Sequence, residues 1–319
     1  MSWNSMSERV AAYLRTRRAM GFELRIEGQQ LERFAAFADQ LGHQGALTLE
    51  LAAAWANASR TPQALGPARR LETLRPFARY CRLFEPQTPV LPARLFGPAH
   101  RRLPPHIYCE QELADLLAAT ATLAPTHGLR PVSMHTLLGL LAVTGLRVGE
   151  ALRLTDADVD VQQSLVQVRQ SKFRKSRLLP ITASTGEALA EYIAVRDQHL
   201  GHARVPALFV FDNGKALTLD QVDYAFKVLR EQLRWRRDVN GRRPRLYDLR
   251  HTFACRRLLA WYAEGVDVNT RLAHLATYLG HAKISDTYWY LTGIPALMAI
   301  AAERFEQGAV IREEEGSCV

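Results

Sequence analysis

Between Pro86 and Pro105, six of twenty residues are proline. Proline holds φ near about −65° and lacks a backbone N–H, so neither a helix interior nor a central strand runs through such a stretch. Residues 86–106 therefore read as an extended linker that divides a chain of 319 residues into two parts, each long enough to bury a core. The parts are a helical unit at 1–85 and a larger unit at 107–311, followed by a disordered acidic tail at 312–319, "REEEGSCV".

In the first part Leu31, Phe34, Ala35, Ala38 and Leu41 recur at helical spacing, as do Leu71, Leu74, Ala78 and Cys81. The second part predicts helices over Glu110–Leu123, from a Ser133 N-cap to Thr144, and over Ser184–Gln198, Asp220–Trp235, Leu249–Glu264 and Asn269–Leu279. Gly265 and Gly280 are suited to ending the last two. Between them "SLVQVRQ" (164–170) alternates apolar and polar residues and "SRLLPI" (176–181) follows, so "SKFRK" becomes the basic tip of a hairpin. The fold class expected is mainly α with a small antiparallel β-sheet.

Lys and Arg number 41 against 32 Asp and Glu, a formal charge of +9 that favours a polyanionic partner. The excess is local: five of the nine residues from Arg169 to Arg177 are basic, as are nine residues from Lys227 to Arg250. Two such runs in one part point to phosphate contact. Cys81, Cys109, Cys255 and Cys318 are scattered, with neither a disulfide framework nor zinc-finger spacing, which suits a reducing compartment. The first residues lack a signal-peptide pattern, and the run "TLLGLLAVTGL" (136–146) is too short for a bilayer, so a soluble, cytoplasmic protein without a membrane partner is expected.

Four stretches belong together: "TGLRVGE" (144–150), "SKFRKSR" (171–177), "YDLRHTFA" (247–254) and "LGHAKISDTYWY" (279–290). In this order they resemble the catalytic signature of the tyrosine recombinases, the phage integrase-type site-specific recombinases. The resemblance implies a helical core-binding domain at 1–85 and a catalytic domain after the linker. It also implies a DNA strand transferase that cuts and rejoins double-stranded DNA through a covalent 3′-phosphotyrosyl intermediate, as a homotetramer on paired sites and in a mobile element, with no metal and no cofactor. By position Tyr290 is the nucleophile, Arg147 and Arg250 clamp the phosphate, Lys172 is the general acid and His281 donates to a non-bridging oxygen. Glu150 and His251 are supporting groups, and Arg174, Lys175, Arg177, Arg242, Arg243 and Arg245 are DNA contacts.

These residue types suit the chemistry. A phenol conserves the broken phosphodiester as an ester that a DNA hydroxyl can reverse, guanidinium remains charged and matches the phosphate oxygens, and a lysine crowded by cations can protonate the leaving oxygen. One position departs from the pattern. Tyr247 stands where the family has histidine, three residues before Arg250, and a phenol is a poor proton acceptor at neutral pH. That leaves open a DNA-binding relative that no longer cuts, or a topoisomerase-like activity of type IB. A metal hydrolase built on His199 and His202 or on His274 and His281 is disfavoured, because no H-E-x-x-H accompanies them.

Overall fold

The computed structural model describes residues 3–58, 66–99, 104–169, 176–201, 205–237 and 241–293. The chain forms two compact units, residues 1–103 and 104–319. In the first, α1 (Met6–Ala19), α2 (Arg25–Gln40), α3 (Leu49–Asn57) and α4 (Gly66–Arg82) enclose one core. Ser5 and Thr48 begin α1 and α3 by accepting from the N–H groups of Glu8 and Leu51. Leu31, Phe34, Ala35 and Ala38 line one face of α2, and Leu71, Leu74, Ala78 and Cys81 one face of α4, all buried as their helical spacing requires. Leu41, expected to extend the α2 face, instead caps that helix and is exposed. Residues 86–99 carry no helix or strand, yet Leu91 packs into the same core, because a proline-fixed backbone does not forbid side-chain burial.

In the second unit α6 (Leu129–Thr144) touches α5 (Glu110–Ala119), α8 (Ala183–Leu200) and α10 (Asp248–Ala263). Neighbours on several sides explain why Leu137, Leu138, Leu140 and Leu141 are all buried. The helix starts at Leu129, ahead of the expected Ser133 cap, because Pro131 fits a first turn where no N–H is needed. Ser133 is buried instead, its hydroxyl donating to Val210 O at 2.9 Å and lying 3.0 Å from the Tyr192 hydroxyl.

Three antiparallel strands, β1 (Val159–Asp160), β2 (Leu165–Val168) and β3 (Arg177–Pro180), lie in that order, with Val166 opposite Leu179 and Val168 opposite Arg177. Val166, Val168 and Leu179 face inward while Leu178 is exposed, the alternation seen in the sequence. The two-residue β1 is too short for alternation to announce it. The expected tip residues Lys172, Arg174 and Lys175, and everything beyond 293, lie outside the described residues. The remaining helices are α7 (Val148–Ala151), α9 (Leu219–Gln232), α11 (Val268–Leu279) and α12 (Ser285–Gly293). Among the described residues no helix is long and apolar enough to cross a membrane.

Two helix ends shape the centre of this unit. α6 stops at Gly145 and α11 at Gly280, with φ of 62° and 67°, the left-handed conformation that glycine adopts without strain. Space is also short there: a Cβ at Gly145 would lie 2.6 Å from Phe253 Cδ1, and one at Gly280 would lie 2.7 Å from Arg177 Nη1. Gly145→Ala should cost about 1–3 kcal/mol from backbone strain, with the Phe253 clash added. A urea unfolding midpoint equal to that of the unmodified protein would show that this helix end tolerates a side chain after all.

Candidate active site

Helix α11 ends in a run of carbonyls, and an arginine takes each one in turn. Arg177 Nε donates to Tyr278 O at 2.8 Å, Arg250 Nη2 to Leu279 O at 2.7 Å, and Arg147 Nη2 to Gly280 O at 3.0 Å. The last carbonyls of a helix lack intrahelical partners and carry partial negative charge, so cations are stabilised there. Arg250 reaches a second helix end as well, donating through Nη1 to Gly145 O at 2.6 Å. Arg147 is the N-cap of α7, and Glu150 one turn later accepts both its backbone N–H at 3.1 Å and its Nη1 at 2.8 Å.

The three guanidinium groups are not equivalent. Arg147 and Arg177 share the buried Glu150 carboxylate, while Arg250, 1% exposed, has no carboxylate within ion-pair distance among the described residues. Its Nε is buried without a hydrogen-bond partner. Burial, followed by the charge of Arg147, lowers its pKa to about 10. For Glu150, burial raises the pKa, but the bond and charge of Arg177 and the charge of Arg147 outweigh it, and the net shift is downward.

Tyr290, on α12, is 2% exposed, and its hydroxyl lies 3.0 Å from His251 Nδ1. His251 is one residue past Arg250 on α10, and Trp289 packs on its ring. His281 follows the Gly280 cap, its ring nearly parallel to that of Tyr290 at 6.3 Å, with Nδ1 2.7 Å from the hydroxyl of buried Thr287. Burial, then Arg250 and Arg147, takes the His281 pKa down to about 4, and burial takes that of His251 to about 4. Both rings are therefore neutral at pH 7. Burial pushes the Tyr290 phenol well above its ordinary value, with Arg250 and Arg147 opposing the shift. Of the neighbouring tyrosines, Tyr278 stacks on Phe253 with its hydroxyl donating to Pro180 O at 3.3 Å, and Tyr288 is exposed.

The sequence model of the phage integrase family matches residues 109–293, the region holding every group just described. The chain belongs to the phage integrase family. An integrase/recombinase homologue of Sinorhizobium fredii, y4rB, is 38% identical over 310 residues, covering 95% of this chain and 98% of its own length. The tyrosine recombinase XerC of Chlamydia caviae is 28% identical over 227 residues, covering 70% of this chain and 65% of its own. Among solved structures, the Tn1549 transposon integrase in complex with transposon right end DNA superposes with a TM-score of 0.68 at 16% identity, over 96% of this chain and 99% of that one.

This site-specific recombinase of the integrase family thus brings together Glu150, Arg250, His251 and Tyr290 from three helices, Arg147 from the N-cap of α7 and His281 from just past the cap of α11. Tyr247 is exposed at the start of α10, its ring edge-on to His251 at 5.0 Å. Arg245 pairs with Asp248 at 2.7 Å, Arg242 donates to Pro104 O at 3.2 Å, and exposed Arg243 lies 3.8 Å from Glu231. Arg177, expected among the DNA contacts of the hairpin, turns inward to Glu150 and α11, because β3 carries it on the face opposite exposed Leu178. His274 lines a cavity beside Tyr278, and among the described residues no three His, Cys, Asp or Glu side chains cluster in a way that would hold a metal. The sequence reading missed Thr287, whose hydroxyl orients His281. The only available signal was its spacing of six residues from that histidine.

The two neutral histidines set a pH dependence. Their unfolded counterparts take up a proton below about pH 6.5 whereas the folded rings resist until about 4. Stability is therefore full above 6.5 and is lost as the pH falls towards 4. Denaturant midpoints should fall between pH 7 and pH 5, and His251→Gln or His281→Gln should each flatten that fall. An unchanged slope in both variants would mean that the rings already titrate normally.

Proposed function

We propose that the chain cuts and rejoins double-stranded DNA at specific sites, without metal or cofactor, through a covalent 3′-phosphotyrosyl intermediate on Tyr290. The observation that carries this reading is Arg250, a buried cation that among the described residues has no carboxylate of its own and no partner for Nε, and that feels the charges of Arg147 and Tyr290. Leaving a buried charge uncompensated costs on the order of 3–5 kcal/mol, so such a site is built for an anion that arrives later. A phosphodiester supplies that anion, and its charge rises as phosphorus becomes pentavalent, which is the change two guanidinium groups stabilise best.

Tyr290 Oη attacks phosphorus while its proton passes to His251 Nδ1, which is neutral and 3.0 Å away. The P–O5′ bond breaks, and the departing oxygen takes a proton from Lys172, leaving a free 5′ hydroxyl and the phosphotyrosine. His281, its Nδ1 held 2.7 Å from the Thr287 hydroxyl, acts in this reading as the Nε2–H tautomer and donates to a non-bridging oxygen. His251 thereby takes over the proton transfer for which Tyr247 is unsuited, and the exposed Tyr247 hydroxyl is left to contact phosphate. Attack by a second 5′ hydroxyl reverses every transfer.

The same reading assigns residues 1–85 to core-site binding, 107–311 to catalysis and Arg174, Lys175, Arg242, Arg243 and Arg245 to backbone phosphates. The active unit is a homotetramer on paired sites, working at the nucleoid in the cytoplasm. The full-length likeness to y4rB, and the transposon DNA held by the structurally similar Tn1549 integrase, support a role in a mobile element.

The test is a nicked or suicide DNA carrying the recombination site, incubated in EDTA and resolved on a denaturing gel. A covalent adduct is expected with the unmodified protein and none with Tyr290→Phe. Arg147→Ala and Arg250→Ala should each lower cleavage about 10²–10³-fold, and His251→Gln about 10²–10⁴-fold. Tyr247→His should keep or raise the rate. An adduct that persists in Tyr290→Phe, or one that requires added metal, would overturn the mechanism.

A further inference from the structure

We infer that Arg177 is a positioning residue for cleavage: it holds the Glu150 carboxylate, and through it Arg147, against the end of α11. The inference rests on the reading of Arg147 as a phosphate clamp. Each of the three guanidinium nitrogens of Arg177 has a protein partner, with Nε bonded to Tyr278 O at 2.8 Å, Nη2 to Glu150 Oε2 at 2.9 Å and Nη1 to Glu150 Oε1 at 3.3 Å. Its side chain is 11% exposed against 23% for Arg147, so of the two it is Arg147 that faces incoming substrate.

Geometry makes the linkage directional. Glu150 Oε1 accepts from both Arg147 Nη1 and Arg177 Nη1, and Oε2 from both the Arg147 backbone and Arg177 Nη2. Arg147 is thus held on one side by a carboxylate that is itself pinned from the sheet, and on the other by Gly280 O. Gly280 is part of the same device, because a Cβ there would lie 2.7 Å from Arg177 Nη1 and drive the guanidinium away. Arg177 is also the first residue of β3, so one side chain ties the start of that strand to the clamp arginine.

Charge acts in the same direction as geometry. The groups that face Glu150 are Arg147 from α7, Arg177 from β3 and, more distantly, Arg250 from α10. Burial by itself raises the pKa of this carboxylate, and the bond to Arg177 opposes burial most strongly. Without Arg177 the carboxylate gains a proton at higher pH and stops accepting from Arg147, and the clamp loses its fixed position. A direct DNA contact predicts something different: weaker binding, less sensitive to salt, at an unchanged pH dependence.

The experiment measures single-turnover cleavage of suicide DNA as a function of pH, together with DNA binding as a function of salt, for the unmodified protein, Arg177→Gln, Arg177→Lys and Glu150→Gln. Arg177→Gln should cleave on the order of 10²-fold more slowly, with the acid limb of its rate profile moved up by about one pH unit or more and its salt slope unchanged. Arg177→Lys, which keeps a cation beside Glu150, should leave the acid limb in place and recover part of the rate. In the Arg177→Gln/Glu150→Gln double variant the two losses should not add, because both act through Arg147. A salt slope reduced by about one with an unshifted acid limb would make Arg177 a phosphate contact and overturn the inference. So would a normal rate in Arg177→Gln, or, if that variant fails to fold, normal rates in both Arg177→Lys and Glu150→Gln. Absence of any adduct from the unmodified protein would instead defeat the underlying cleavage mechanism.

Discussion

Everything at this site depends on arginines held by the C-terminal carbonyls of two helices. A carboxylate would fix a guanidinium at least as firmly, but it would also neutralise it. Backbone carbonyls at a helix end contribute only about 0.3–2 kcal/mol of charge interaction, so they set direction while leaving the positive charge largely unspent. Arg250 is the extreme case, held by Gly145 O and Leu279 O and buried. Arg147 divides its bonds between a carboxylate and Gly280 O. Both helices end on left-handed glycines, which turn the chain sharply enough to free those carbonyls for guanidinium groups from elsewhere.

The cationic floor has consequences for everything near it. Positive charge and burial together keep His281 neutral, so near pH 7 it can donate one N–H without adding another charge. His251 is neutral for a related reason and faces the Tyr290 hydroxyl. Burial of the phenol works against its ionisation while Arg250 and Arg147 work for it, which suits a nucleophile that gives up its proton only when attack begins. The tyrosine at 247 fits this arrangement, since its edge packs on His251 and its hydroxyl remains exposed.

Much of the fold was legible because it rests on local rules. Helical periodicity marked the buried faces of α2 and α4, alternation marked β2 and β3, and Gly280 marked the end of α11. The misreadings came where tertiary contacts overrode a local preference. Ser133 looked like a cap because serine is good at that task, but its hydroxyl found buried partners on other elements and the helix began earlier. Arg177 looked like a member of a solvated basic run because five cations crowd nine residues, and strand alternation turned it inward to a buried acid.

By itself the sequence determined the kinds of chemical group available, their order along the chain and the local geometry that presents them: a phenol, two arginines and a histidine after a helix-ending glycine. Their convergence belonged to the tertiary structure. The partners that orient Arg250 are backbone carbonyls 105 and 29 residues away, and every residue has such a carbonyl whatever its side chain. A hydrogen-bond acceptor that carries no residue identity leaves no mark in the sequence, so only the folded chain could decide which ones the arginines would find.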